Sequence, residues 1–459
     1  MFPKVAFFAL GLILLASAGT HPALGAISRH NTWARTYGGA GVEQAYSVHQ
    51  TSDGGFIVAG STSSSGAGGN DAWLIKLNPS GQIIWQKAYG TVGDDFSVGA
   101  QQTSDGGFIV SAFTGPSGFA GSAWIFKTDA AGNVQWQNKY EGFGCCILPT
   151  QQTSDNGFII AGFTNSGTGD GQVIRLASSG AVMWAKTYGN ATAFNAAFSI
   201  QTTPDGGFVV AGITNGYAIN TLIVGDVWVF RIDATGNIIW QKAYGGPEAD
   251  YASSIARASD DGFIVAGWTN SFGAGGQDAW LLRLDSMGGV IWQKAYGGTG
   301  QDVALSVEPT SDRGFIVAGF TNSSGAGGQD AWVFKLTPTG NVVWQKTYGG
   351  PGDDRAVSAQ QTTDGGFVVA ATTSSFGNGN SHVWVLKLNQ DGSLSKTCDT
   401  SGIIQDSNAT VTDTNASATT TTAVPNDATV VATATTAITT ATSETSQSQC
   451  SSSKNQDGQ

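Results

Sequence analysis

The chain has 459 residues, with 21 Lys and Arg against 33 Asp and Glu, a formal charge of −12. Glycine supplies 65 positions, roughly double ordinary usage, while charged residues make up only 12% and tryptophans number 14. This composition excludes a coiled coil, a helical solenoid and a charge-driven disordered chain, and the shortage of cations argues against nucleic acid as a partner.

At the N-terminus, Lys4 precedes an apolar run from Val5 to Ala16, with small-residue sites at Ala16-Ser17-Ala18 and Ala23-Leu24-Gly25. That is the order of a secretory signal, expected over residues 1–25, and it directs the chain to the periplasm, the cell surface or the medium. The run is too short to span a bilayer, which takes about 20 apolar residues. No integral membrane span is expected, and no cysteine near the cleavage sites offers a lipid anchor.

An internal repeat fills residues 31–398. The motif Trp-x-Lys-x-Tyr, with Arg35 and Asn138 at the Lys place of the first and third copies, begins at Trp33, Trp85, Trp136, Trp184, Trp240, Trp292 and Trp344, at spacings of 52, 51, 48, 56, 52 and 52. A second motif, Asp-x-Gly-Phe, starts at Asp53, Asp105, Asp155, Asp205, Asp260, Asp312 and Asp364. The third, an apolar run after Trp closed by Lys or Arg, starts at Trp73, Trp124, Trp228, Trp280, Trp332 and Trp384, with Val173 in the third copy. Trp268 alone lies outside the pattern.

Each copy reads as four short strands, in the first Ala45–Thr51, Phe56–Thr62, Ala72–Leu77 and Ile83–Tyr89. Phe56, Val58 and Gly60 point one way and Ile57 and Ala59 the other, so the strand needs cover on both faces. Blades stacked around an axis provide it. In Asp-x-Gly the middle residue varies and the third is always Gly, which predicts the third as the left-handed position of a glycine-bulge turn. The next hairpin repeats the logic in Asn78-Pro79-Ser80-Gly81.

The array is offset: Trp33–Tyr37 is a fourth strand with no blade before it, and the last copy lacks a fourth strand after Leu388. The expected fold is all-β, a seven-bladed β-propeller of four-stranded antiparallel blades, closed by pairing Trp33–Tyr37 with Val383–Leu388. Residues 399–459 lose all aromatics and become Thr-, Ala- and Ser-rich. They read as a flexible or stalk-like tail, with loosely held strands the alternative.

The run Asp-Gly-Gly-Phe-Ile-Val-Ala-Gly, Asp-Ala-Trp-Leu-Ile-Lys-Leu and Trp-Gln-Lys-x-Tyr-Gly-Gly resembles bacterial secreted seven-bladed β-propeller repeat proteins. Asp233, Gly236 and Trp240 are also similar to the docking motif of quinoprotein-like propellers, one residue shorter between Asp and Gly. The resemblance implies the architecture and export, and little about chemistry.

Function in such a ring is expected on the face that carries the blade-to-blade loops and the longer loops between strands two and three. Eight residues before each Thr or Ala of the Thr-x-Asp turn stand Glu43, Asp95, Cys145, Asn195, Asp250, Asp302 and Asp354. These, with Cys146, are the candidate ligand-binding positions of an acidic mouth; the alternative is that they accept bonds from loop amides. Loops such as Gly66-Ala67-Gly68-Gly69-Asn70-Asp71 lack the alternating carboxylates of a calcium cage. The repeated Lys87, Lys186, Lys242, Lys294 and Lys346 are read as structural, their stems covering aromatic rings.

Four cysteines in an exported chain permit disulfides. Cys398 and Cys450 flank the tail and are expected to pair; Cys145-Cys146 is either a vicinal bridge, as beside the quinone of some quinoprotein dehydrogenases, or two thiols. After the signal only His30, His49 and His382 remain, in no metal spacing, so no metal site and no catalytic residue is assigned. No cofactor is expected, with PQQ and calcium as the alternatives. The leading expectation is a secreted, monomeric, non-catalytic scaffold that binds a carbohydrate, matrix component or protein partner at the acidic loop face. A quinone-dependent or hydrolytic enzyme with its site at the same mouth, and a structural envelope protein, are the alternatives. The asymmetric features, Cys145-Cys146, Asn195 and the insertion Asn215–Gly225, place the expected site in blades three and four.

Overall fold

The computed structural model describes residues 32–115, 121–143, 150–164, 169–189, 194–219 and 222–394, with seven short strands between 404 and 451. Of residues 215–224 and the tail strands it describes the backbone. Seven antiparallel sheets form a ring. In the first blade the order from the innermost strand is Glu43–Gln50, Phe56–Thr62, Asp71–Leu77 and Ile83–Gly90. The next five repeat it, and in the seventh Trp33–Gly38 serves as the fourth strand. Trp33 stands opposite Lys387 and Tyr37 opposite Val383, the register that Trp85 keeps with Lys76 inside the first blade.

In the first blade strands two and three are buried along their whole length, because both faces meet neighbouring blades. The cores lie between blades. One joins Trp33, Tyr37, Val383 and Val385 of the last blade to Val48, Phe56, Trp73 and Ile75 of the first. The repeated motifs are two halves of one joint. Tyr37 Oη donates to the Gly81 carbonyl in the next blade's hairpin at 2.6 Å, and Trp33 Nε1 to Pro79 at 3.1 Å. Tyr89, Tyr140, Tyr188, Tyr244, Tyr296 and Tyr348 make the same bond to Gly132, Gly180, Gly236, Gly288, Gly340 and Gly392. A buried hydroxyl without that acceptor would cost about 1–3 kcal/mol, so the motif Tyr fixes the blade spacing.

Within each blade the turn Asp is clamped to strand three. Lys76 reaches Asp53 at 2.8 Å, Lys127 reaches Asp105 at 2.9 Å, and Arg or Lys continues the pairing to Lys387–Asp364. The turn itself corrects the sequence expectation. The left-handed residue is the middle one: Asn156, Asp261 and Arg313 have φ of 63°, 62° and 66°, and Gly54 has 78°. The third residue is Gly for a different reason. A Cβ on Gly55 would lie 2.2 Å from the Leu77 carbonyl oxygen, and the same close approach recurs at the third position of the other blades. The Asn78–Gly81 hairpin is as expected, with Gly81 at φ 74°.

The tail also departs from a flexible stalk. Ile404–Asp406, Thr410–Asp413, Ser417–Thr420, Val424–Asp427, Ala432–Ala434, Ile438–Ala441 and Thr445–Ser451 are strands. They pair antiparallel, in that order, with the fourth strands of blades six, five, four, three, two, one and seven, so every blade gains a fifth strand. The tail needs no core of its own, because each Thr- and Val-rich segment completes a sheet edge that the propeller already holds rigid. The described part of the insertion Asn215–Gly225, residues 215–219 and 222–225, likewise becomes strand. In blade four, strands two and three run as Phe208–Ile219 and Leu222–Ile232, with Ile219 opposite Leu222.

Candidate functional site on the loop face

The carboxylates expected at the mouth begin the innermost strands, and their side chains turn inward. Glu43, Asp95, Asn195, Asp250, Asp302 and Asp354 are each at most 1% exposed. Asp302 accepts the Gly298 amide at 2.8 Å, the Ser323 hydroxyl at 2.6 Å and the Thr321 hydroxyl. Asp250 accepts Gly246 N and Ser271 Oγ, both at 2.8 Å, and Asp354 accepts Gly350 N at 2.9 Å and Ser375 Oγ at 2.5 Å. Asp95 takes Thr91 N at 2.6 Å, and Asn195 Oδ1 takes Thr214 Oγ1 at 2.6 Å. Each carboxylate therefore ties the blade-to-blade loop, the loop after strand two, or both to the innermost strand, while Asn195 bonds strand two itself. Cys145 and Cys146 lie outside the described residues, as do Cys398 and the side chain of Cys450.

Behind most of these residues sits a second carboxylate, at the start of strand three of the preceding blade. Burial first, and then the like charge of Asp95, push Asp71 up to about 6 although the Ala67 amide donates to it at 3.1 Å. Burial and Asp302 raise Asp278 to about 6 in the same way, and burial with the following carboxylate raises Asp226 and Asp330. The closing joint differs. There His382 Nδ1 lies 3.2 Å from Glu43 Oε2, an ion pair when the imidazole is protonated, and His382 also bonds Asn378. Among the described residues no group of three or more His, Cys, Asp or Glu side chains is arranged to hold a metal ion.

Farther along the innermost strands, one shared rung carries His49, Gln101, Gln151, Gln201, Ala256, Glu308 and Gln360. Its glutamines stitch blade to blade: Gln360 Oε1 accepts Gln50 N at 2.9 Å and Gln151 Oε1 accepts Thr202 N at 3.0 Å. Burial raises Glu308 to about 7 and lowers His49 to about 4.

The clearest break in symmetry is aromatic and lies in blades four and five. Tyr251 stacks between Phe198, at 4.7 Å and 27°, and Trp268, at 5.5 Å and 4°. Phe194 meets Phe163 at 5.5 Å, and both Phe194 and Tyr251 pack on the buried Phe163, Ala196, Phe198 and Ile213. Tyr251 and Trp268 are half-buried, so the stack has a solvent side. Exposed Glu248 and Asn270 flank it, on loops joined by the Asn270 N to Ala249 O bond at 2.9 Å. The positions matching Tyr251 in blades one, two, four, six and seven hold Gln44, Phe96, Ala196, Val303 and Arg355. Arg355 instead covers Phe320 at 5.1 Å. The sequence carried a signal for this site, since Trp268 is the tryptophan that serves no repeated motif.

No family model matches the chain, and no curated protein matches it. Among solved structures it is similar to a protein of unknown function from Dyadobacter fermentans, at 12% identity and a TM-score of 0.42, covering 63% of this chain and 92% of that one. It is also similar to a eukaryotic initiation factor, at 9% identity and a TM-score of 0.30, covering 69% of this chain and 96% of that one.

Proposed function

We propose that this propeller is an exported, non-catalytic scaffold that binds a carbohydrate on its loop face, against the Tyr251–Trp268 stack. The single supporting observation is that stack: two parallel rings, both half-exposed, at a place where blade two sets Phe96 opposite the buried Phe113 and blades one, four, six and seven carry no aromatic pair. A flat aromatic surface takes the C–H face of a pyranose ring, while flanking polar groups such as Asn270 and Glu248 answer its hydroxyls. The buried carboxylates support this reading indirectly. By fixing the loops beforehand they lower the ordering cost that binding a flexible sugar would otherwise meet.

The test is a glycan array on the full chain beside W268A and Y251A, with circular dichroism to show that each variant is folded. Binding that falls at least about tenfold in W268A, roughly 1.4 kcal/mol, supports the reading. An unchanged glycan profile in both variants removes it. A bound-cofactor spectrum after incubation with PQQ would instead favour an enzyme.

A further inference from the structure

The tail keeps one register through the whole circuit. Opposite the motif residues Lys346, Lys294, Lys242, Lys186, Asn138, Lys87 and Arg35 stand Asp406, Asp413, Thr420, Asp427, Ala434, Ala441 and Ser448. Successive members of the second series are seven residues apart. The tyrosines two residues on repeat this, from Tyr348 opposite Ile404 to Tyr37 opposite Ser446. Seven residues reach at most about 23 Å, which bounds each step from one blade edge to the next. Three of the five motif lysines face an aspartate across the ladder, an arrangement that favours this register over a slipped one.

One circuit brings the tail back to the blade it left. Leu394, the last described residue before the tail, shares a buried cluster with Ala34. Ala34 in turn is the strand partner of Cys450. Cys398 is four residues beyond Leu394, within about 14 Å by chain reach. We infer that the tail is a belt around all seven blades and that a Cys398–Cys450 disulfide buckles it into a covalent hoop. Formation transfers two electrons and two protons from the thiols to a small disulfide such as oxidised glutathione, which leaves as two thiols. Reduction unbuckles the belt.

The experiment uses the full chain, oxidised in glutathione buffer, with a protease site inserted between Asp427 and Ala432. After cleavage, a non-reducing gel should show one species and a reducing gel two, with a Cys398–Cys450 peptide in the digest. Amide exchange across 404–451 should be at least about tenfold slower in the oxidised chain than in C450S. Free thiols at both cysteines under oxidising conditions, or a peptide joining Cys450 to Cys145 or Cys146, would overturn the buckle. A correct disulfide with unprotected tail amides would overturn the belt.

Discussion

Trp33 and Lys387 face each other across the seam of the ring, joining the first propeller strand to the last in one blade. Trp33 is fully buried, and its indole also reaches Pro79 in the first blade, so one side chain secures both the sheet and the blade joint. W33A should lower unfolding stability by about 3–5 kcal/mol in denaturant titrations, as for a large aromatic removed from a packed core. I84A, on a side chain 55% exposed, should stay within about 0.5 kcal/mol. Equal effects from the two would sink the seam as the closing element.

Truncation after Leu394 tests the role of the tail strands as edge cover. The propeller keeps its four-stranded blades, and circular dichroism should stay close to that of the full chain. Seven fourth strands then present open backbone groups, a template for edge-to-edge pairing. Sedimentation velocity should show self-association that grows with concentration, absent in the full chain. A truncated protein that stays monomeric at every concentration would mean that the motif lysines protect the edges unaided.

Architecture was legible in this sequence because a repeat of about 52 residues states each structural demand seven times. The surplus strand at Trp33 and the missing one after Leu388 are a count, and the closure follows from it. The tail was harder to read, since its residues take their order from edges elsewhere in the chain. The spacing of Asp406, Asp413 and Asp427 in multiples of seven gains meaning only when set against the lysines of blades six, five and three. Glu43, Asp302 and their counterparts could be placed at the innermost strands by spacing, but spacing cannot say which way a carboxylate turns. The loop hydroxyls and amides that capture them, such as Ser323 and Gly298, decide that. Trp268 was visible as an exception, while its partner Tyr251 became visible only when the two strands were paired.

The turn correction yields a prediction that runs against simple glycine reasoning. Gly54 has the left-handed conformation, yet Asn156, Asp261 and Arg313 occupy the same place in other blades. G54N should therefore cost little, within about 1 kcal/mol. Gly55 has no such conformation, but an added Cβ would meet Leu77 O at 2.2 Å. G55A should cost more than about 2 kcal/mol, because a backbone carbonyl has to move. Denaturation midpoints that rank the two variants in the opposite order would sink this account of the turn.

The two carboxylate sets give the stability a predictable pH profile. Burial opposes ionisation of Asp53, but the Lys76 ammonium, the Thr51 hydroxyl and the Gly55 amide outweigh it and hold the group at about 2. Asp105, Asp312 and Asp364 behave alike, and Asp155 is held at about 2 as well. A depressed carboxylate stabilises the fold above its unfolded pKa of about 4, and that contribution is lost as pH falls toward 2. Asp71 and Asp278 have the opposite sign. Raised to about 6 by burial, with their like-charged neighbours Asp95 and Asp302 adding to it, they stabilise the fold while protonated. Their contribution is full below about pH 4 and fades as pH rises through 6; Glu308, at about 7, extends the decline, and His49, lowered to about 4, offsets part of it between about pH 4 and 6.5. Midpoints measured from pH 2 to 8 should therefore peak near pH 4, falling on both sides. D71N and D278N keep the size of the side chain without its proton equilibrium, so they should flatten the limb between pH 4 and 7 and leave the acid limb intact. A double variant with the same decline between pH 4 and 7 would show that the blade-joint carboxylates do not set it.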